Sequence, residues 1–459
     1  VKRRHWARLA WALTIAWIAL LLLSLRTGWL DHFFYDTDQL PAPGIDFFSV
    51  ERGWYSLLAG HSEYDTFRTD YGPYATWLNY HPLLAAVVGP VLMPFTPFVA
   101  YIVWTGISAL LMAVAAWVLA RKEDALYRAG VMLLLLGAFP TFIMFQSGNM
   151  QAILVLSVAL VFAALRNIAE DASRKVCQTL LLAGLLMSLF SKPIVLAMLP
   201  LLLLMRETRR TALGASGIYL TISLLSLVVP AWNPEPLTWH SRWMWISHPD
   251  AIASTMNVYT NHFTVTAPMR DNAVHWFAML GITDFRFFHV DIYSLSTLLD
   301  GCLRTTTPSV LYRVPILLVL ETSVLVALIR EHRTRVEAAL MVTMAASLLL
   351  ILSYGVVWEY HYTLLLPVGA VCLLLKSRSV LVRLIPLLSV FAWLPSLYVL
   401  IRTHDLQQPG LQNFLRAERV LPVLAAFLLL LAEAVRLAVR DTSHLRFFSR
   451  RAKTSHVHS

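Results

Sequence analysis

A carboxylate, an ammonium group and a carboxylate–imidazole pair stand far apart in this 459-residue chain, at Asp46, Lys192 and Glu359/His361. Their chemistries complement one another. A carboxylate in a partly dry loop can take a proton from a hydroxyl. An ammonium beside a short apolar helix can hold a phosphate by charge-assisted hydrogen bonds. A hydroxyl nucleophile and a lipid-phosphate leaving group together make glycosyl transfer. Asp46 opens the first polar stretch rich in carboxylates and aromatics, running through Glu51, Trp54-Tyr55, Gly60 and Tyr64 to Tyr80-His81-Pro82. Gln146 and Asn149 bound an uncharged turn, Gln146-Ser147-Gly148-Asn149.

Each residue also has an ordinary reading. Asp46 fits a helix N-cap or a solvated loop position among Asp31, Asp36, Asp38, Glu63, Asp65 and Asp70. Lys192 fits a lysine snorkelling to an interface. Glu359 and His361 fit an aromatic belt with Trp358 and Tyr360. Gln146 and Asn149 fit helix caps. Asp36-Thr37-Asp38 has the form of a metal-binding Asp-x-Asp, a short pattern that recurs by chance. His240, His248, His262, His275 and His289 lack metal-ligand spacing. Cys177, Cys302 and Cys372 lack paired spacing. No metal and no cofactor is expected.

The elements that must position these groups are apolar. Hydrophobic residues make up 58% of the chain and charged residues only 14%, against about 25% charged in soluble domains. Apolar runs long enough to cross a bilayer recur throughout, so the expectation is an all-α, polytopic transmembrane helical bundle. The formal charge of +10 sits mostly in short connectors, as the positive-inside rule produces; no nucleic-acid partner is expected.

Lys2-Arg3-Arg4 and the apolar run to Leu25, without a small-x-small cleavage site, predict an uncleaved first helix with a cytoplasmic N-terminus. Residues 28–97 then form an outer loop followed by a re-entrant helix, since Pro82, Pro90, Pro94 and Pro97 interrupt the run after His81. Basic connectors after residues 120, 165, 205, 329 and 375 alternate with uncharged or aromatic ones. The alternation predicts about twelve spans, a large outer loop over 231–310 and a basic cytoplasmic tail over 436–459, all in one integral-membrane domain. Residues 177–205 fit two short helices meeting at Ser191-Lys192-Pro193 better than one kinked helix, which would put Arg174-Lys175 and Arg209-Arg210 on opposite faces. Short helices leave a lateral opening for a lipid substrate. In this topology Asp46, Tyr80-His81, Gln146, Asn149, Lys192, Glu359 and His361 all gather on the outer face.

At these residues the chain resembles the integral-membrane glycosyltransferases of the GT-C class, specifically the bacterial family 87 mannosyltransferases that use polyprenyl-phosphate mannose. The resemblance rests on Asp46 with Phe47-Phe48, Trp54-Tyr55, Gly60 and Tyr64; on Tyr80-His81-Pro82; on Gln146 through Gln151; and on Lys192-Pro193. It continues in Asn257 to Thr264, which includes Asn261, and in Ser353 through His361. It departs from the family at His81, where a proline is usual, and in lacking a Pro after Ser353.

The resemblance implies inverting transfer of a hexose, mannose in the family, from a polyprenyl-phosphate carrier to a glycolipid or lipid-linked glycan. The site would face the outer side of a bacterial inner (cytoplasmic) membrane, with both termini cytoplasmic. Asp46 would be the general base and Lys192 would hold the phosphate. Glu359 and His361 would line the sugar pocket, and Tyr80, His81, Gln146, Asn149 and Asn261 would bind substrate. A transporter or flippase of a lipid-linked sugar is the alternative. It would need ionisable groups deep in the spans, where Glu321 and Glu433 are the few candidates.

Overall fold

The computed structural model describes residues 2–28, 43–58, 80, 82–192, 194–228, 309–353, 359–375, 379–395 and 409–455, with a few single positions between them. Among the described residues the chain is helical, with no strand. The helices are α1 (Lys2–Thr27), α2 (Ile45–Leu58), α3 (Pro82–Leu92), α4 (Pro97–Ala120), α5 (Ala125–Leu136), α6 (Phe139–Ser147), α7 (Gln151–Ala169), α8 (Arg174–Leu189), α9 (Leu199–Leu204) and α10 (Arg209–Val228). They continue with α11 (Ser309–Ala327), α12 (His332–Ser347), α13 (Leu349–Ser353), α14 (Leu365–Leu374), α15 (Val380–Trp393) and α16 (Pro409–Ser455). Two 3-10 turns, Ile194–Ala197 and Glu359–Leu364, precede α9 and α14.

The helix ends follow local chemistry. Asp124 caps α5 by accepting from the N–H groups of Leu126 and Tyr127. Glu331 does the same for α12 from Arg333 and Thr334. Proline opens α4 and stands in the first turn of α6, where its missing N–H costs nothing.

α7 and α12 form the centre of the bundle, whereas α1 lies at its edge with Trp6, Leu13 and Ile15 exposed. That inversion suits lipid surroundings, where outward apolar side chains carry no penalty. α7 and α8 approach closely at Gly184: a Cβ there would lie 2.7 Å from the Ser157 carbonyl oxygen, and the Ser157 hydroxyl donates to the Gly184 carbonyl at 2.6 Å. α7 has 19 residues and so spans about 28 Å. Its first turn lies beside Lys192, and its last turn lies in a cluster of ion pairs.

Among the described residues five helices are long and apolar enough to cross a membrane, or six if the pair α5 and α6, bent by 50°, counts as one span. The expected number of about twelve is not reached among the described residues. Several apolar runs are shorter helices of 10–17 residues, at Leu83–Leu92, Val314–Ala327, Glu359–Leu374 and Val380–Trp393. The run over 177–205 breaks where expected, between Leu189 and Ile194, but its second half is a 3-10 turn and a six-residue helix. Part of the expected loop over 28–97 is helical, as α2, and the run after His81 is the short α3. The segment 231–310 lies almost wholly outside the described residues. The basic tail continues as helix to Ser455.

Candidate functional site

Three chain segments must meet to build the site, and glycines permit it. Gly148 ends α6 in the left-handed conformation, with φ 67°. A Cβ there would lie 2.5 Å from Phe47 Cβ, so only glycine allows α2 to seat against this turn. Gly44, with φ 78°, donates its N–H to the Gln146 carbonyl at 2.7 Å, fixing the start of α2 on the end of α6. α4 holds the same turn from beneath. The Tyr101 hydroxyl lies 3.0 and 2.9 Å from the carbonyl oxygens of Phe145 and Gln146, and the Trp104 indole donates to Gly148 at 3.0 Å. Phe47, Phe48, Tyr101 and Trp104 pack as one buried aromatic cluster with Tyr80 and Met150.

On this base a hydrogen-bond chain runs from carboxylate to ammonium. Asn149 Nδ2 donates to Asp46 Oδ2 at 2.9 Å. The Gln151 backbone N–H donates to Asn149 Oδ1 at 2.9 Å. Lys192 Nζ donates to Gln151 Oε1 at 3.4 Å and lies 3.3 Å from His361 Nε2. Because an ammonium only donates, His361 Nε2 accepts here and a neutral ring carries its proton on Nδ1. Lys192 Nζ also stands 5.7 Å from the ring centre of Tyr80 and 5.3 Å from that of Tyr360. The Tyr360 and His361 rings are themselves 4.5 Å apart.

Asp46 and Lys192 keep an accessible edge, so a substrate can reach them, yet protein surrounds them closely. Burial raises the Asp46 carboxyl above its ordinary range; Asn149, the Lys192 charge and Ser147 pull the other way. Burial lowers the Lys192 ammonium to about 8, with the Asp46 charge opposing. The result is a carboxylate closer to neutral pH than usual and a cation that loses its proton only slightly above it. No three His, Cys, Asp or Glu side chains gather as metal ligands among the described residues.

Asp46, Tyr80, Gln146, Asn149, Lys192 and His361 thus come together as a group. Gln146 takes part through its backbone carbonyl, and its buried Oε1 accepts no hydrogen bond among the described residues. Glu359 is placed differently from its neighbour two residues on. It pairs with the buried Arg419 of α16, whose guanidinium also donates to the carbonyls of Phe391 at 2.6 Å and Leu394 at 2.7 Å. That makes Glu359 part of a tie between the 3-10 turn, α15 and α16. His81 and Asn261 lie outside the described residues. Gln151 closes the sequence motif that begins at Gln146 but was given no role there, although it stands at the centre of the hydrogen-bond chain. Its signal was a polar residue in the first turn of an otherwise apolar helix.

The transporter's candidate carboxylates sit elsewhere. Glu433 is paired with Arg436 and accepts from Ser379, and Glu321 is on an exposed face of α11. Compared with protein-family models, with curated proteins and with solved structures, the chain matches none.

Proposed function

We propose that this chain is an inverting glycosyltransferase of the GT-C type, which moves a hexose from a polyprenyl-phosphate carrier to a hydroxyl of a glycolipid or lipid-linked glycan. Mannose is the sugar that the sequence resemblance favours, and the outer face of a bacterial cytoplasmic membrane is the matching place. On this reading the bundle belongs to the multi-span GT-C architecture. Asp46 takes the proton of the acceptor hydroxyl as its oxygen bonds to the anomeric carbon. The bond from that carbon to the phosphate oxygen breaks on the opposite face, and the phosphate leaves towards Lys192. Positive charge at Lys192 stabilises the departing phosphate, and the ordered dipoles of Asn149 and Gln151 need no reorganisation during the step.

One observation carries the proposal: a carboxylate with a raised pKa and an ammonium with a lowered one are joined through Asn149 and Gln151 within one small polar cluster. Opposed shifts of this kind suit an acid–base partner and an anion holder working side by side.

The test is transfer from a polyprenyl-phosphate sugar by the purified full chain and by its Asp46→Asn variant. Asparagine keeps the shape but cannot take a proton. The variant should lose turnover by about 100-fold or more and keep its affinity for the donor. Wild-type turnover in Asp46→Asn would remove the base from the scheme.

A further inference from the structure

Gln151 has a feature that the transfer scheme leaves unused. Its side chain is fully buried, and Nε2 has no hydrogen-bond partner among the described residues. The orientation of this amide follows from its neighbour. Lys192 can only donate, so the amide must turn its oxygen to Nζ. The NH2 group is then on the other side of the same carbon, with two protons to place. Rotating the amide to satisfy Nε2 would set donor against donor at Lys192. The neighbouring amide is equally constrained: Asn149 must offer its oxygen to the Gln151 N–H and its nitrogen to Asp46.

A buried donor without an acceptor is costly, because its desolvation is not repaid, and most buried polar groups in native proteins are satisfied. A site that keeps such a donor, next to an ammonium with one N–H left after Gln151 and His361, is shaped for an incoming acceptor. Its charge follows from position. Gln151 is the first residue of α7, whose 19 residues direct the positive end of their dipole at this point. Donor amide, ammonium and helix N-terminus all favour an oxyanion.

We infer that Gln151 is a direct ligand of the substrate's phosphate: Nε2 donates to one non-bridging oxygen while Lys192 Nζ donates to another, over the N-terminus of α7. The inference rests on the proposed function for the identity of the phosphate as that of a lipid carrier. The same atoms would also take free phosphate. Gln151 therefore does two things at once: its oxygen aims Lys192 and its nitrogen reads the anion.

Two substitutions separate these roles. Gln151→Glu keeps an oxygen facing Lys192 but replaces the donor with a second, negatively charged acceptor. Gln151→Met removes the donor in a side chain of similar length without adding charge. Binding is measured on the full chain in detergent with a short-chain polyprenyl phosphate, the uncharged polyprenol as control, and inorganic phosphate. Gel filtration reports folding.

Gln151→Met should weaken polyprenyl-phosphate binding about 10- to 100-fold, the effect of one hydrogen bond to a charged group. Gln151→Glu should weaken it further, and polyprenol binding should not move in either. Should Gln151→Glu fail to fold, Gln151→Met decides alone. Wild-type phosphate affinity in Gln151→Met, or in a folded Gln151→Glu, would overturn the inference, because a merely structural glutamine tolerates the loss of its donor. A wild-type chain that binds neither phosphate overturns it too. A chain that binds phosphate through Gln151 but transfers no sugar would leave the anion site standing and remove the glycosyltransferase reading instead.

Discussion

The two ends of α7 carry polar groups for different purposes. At the last turn, charges are matched with one another. Arg166 reaches Glu123 at 2.5 Å and Glu170 at 3.1 Å, and Lys122 reaches Glu170 at 2.5 Å and Asn167 at 2.8 Å. Nearby, Glu207 Oε1 accepts from Arg335 at 2.5 Å and lies 3.0 Å from His332, while its buried Oε2 has no partner among the described residues. A cavity of about 970 Å³ opens here between the turn joining α4 to α5 and the helices α7, α12, α14, α15 and α16, and its cations Arg333 and Arg436 are likewise paired, with Glu337 and Glu433. At the first turn the polar atoms are only partly matched. Among the described residues Gln151 Nε2 and Gln146 Oε1 lack partners, and Lys192 is held by neutral acceptors at 3.3–3.4 Å rather than by a contacting carboxylate. Matched charges tie helices together. Unmatched donors and acceptors, kept in place by a well-packed aromatic base, are what a substrate can complete.

Several experiments test this contrast. The largest effect should come from Arg419, the tie on Glu359. Removing one member of a buried pair leaves the other charge uncompensated, so Arg419→Ala should destabilise the protein by about 3–5 kcal/mol, read by thermal denaturation in detergent. An unchanged melting temperature would mean that the Glu359–Arg419 pair does not hold α15 and α16 to the 3-10 turn.

Next comes Glu51 of α2, fully buried with neither carboxylate oxygen partnered among the described residues. Burial raises it from 4.5 to about 8. Protons bind more tightly in the folded state, so its favourable contribution is complete below pH 4.5 and is lost as pH rises through about 8. Glu51→Gln should flatten the pH dependence of α2 protection in hydrogen exchange across that window. Equal pH dependence in the two proteins would place the titration elsewhere.

Lys192 should come third. Lys192→Ala should weaken donor binding about 10- to 100-fold. In the wild type, transfer should rise with pH as Asp46 loses its proton and fall near pH 8 as Lys192 loses its own. Lys192→Arg, always charged, should retain part of the activity and abolish that alkaline fall. A fall that persists in Lys192→Arg would assign it to another group.

The smallest effect belongs to the matched end. Glu170 and Lys122 are each about 40% exposed in their side chains. Glu170→Gln should therefore cost no more than about 1 kcal/mol and leave transfer untouched. A loss of transfer there would erase the distinction between the two ends.

Much of this arrangement was legible in the sequence, for identifiable reasons. Helix content followed from apolar run length, and the break at Phe190–Pro193 from the polar Ser191-Lys192 and the proline. The meeting of Asp46, Asn149, Lys192 and His361 followed from alternating basic connectors, which assign loops to faces without any knowledge of packing. Three things were not legible. The expected span number is not reached by the five or six helices among the described residues, because counting charges treats every apolar run as a full crossing, whereas several described ones are short or broken. Glu359 and His361 looked like one motif, yet in a 3-10 turn residues two apart point in different directions, one to Arg419 and one to Lys192. Gln151 carries no charge and ranks as an ordinary helix residue in sequence, and its importance lies in an amide orientation that only Lys192 dictates.

Asp46 and Lys192 must share one reaction centre for this transfer to occur. A structure of the protein bound to a polyprenyl-phosphate sugar tests it directly. The phosphate should lie within hydrogen-bond reach of Lys192 Nζ, with the anomeric carbon between it and the Asp46 carboxylate. A phosphate bound away from Lys192, or a sugar that leaves Asp46 facing no acceptor position, would contradict it.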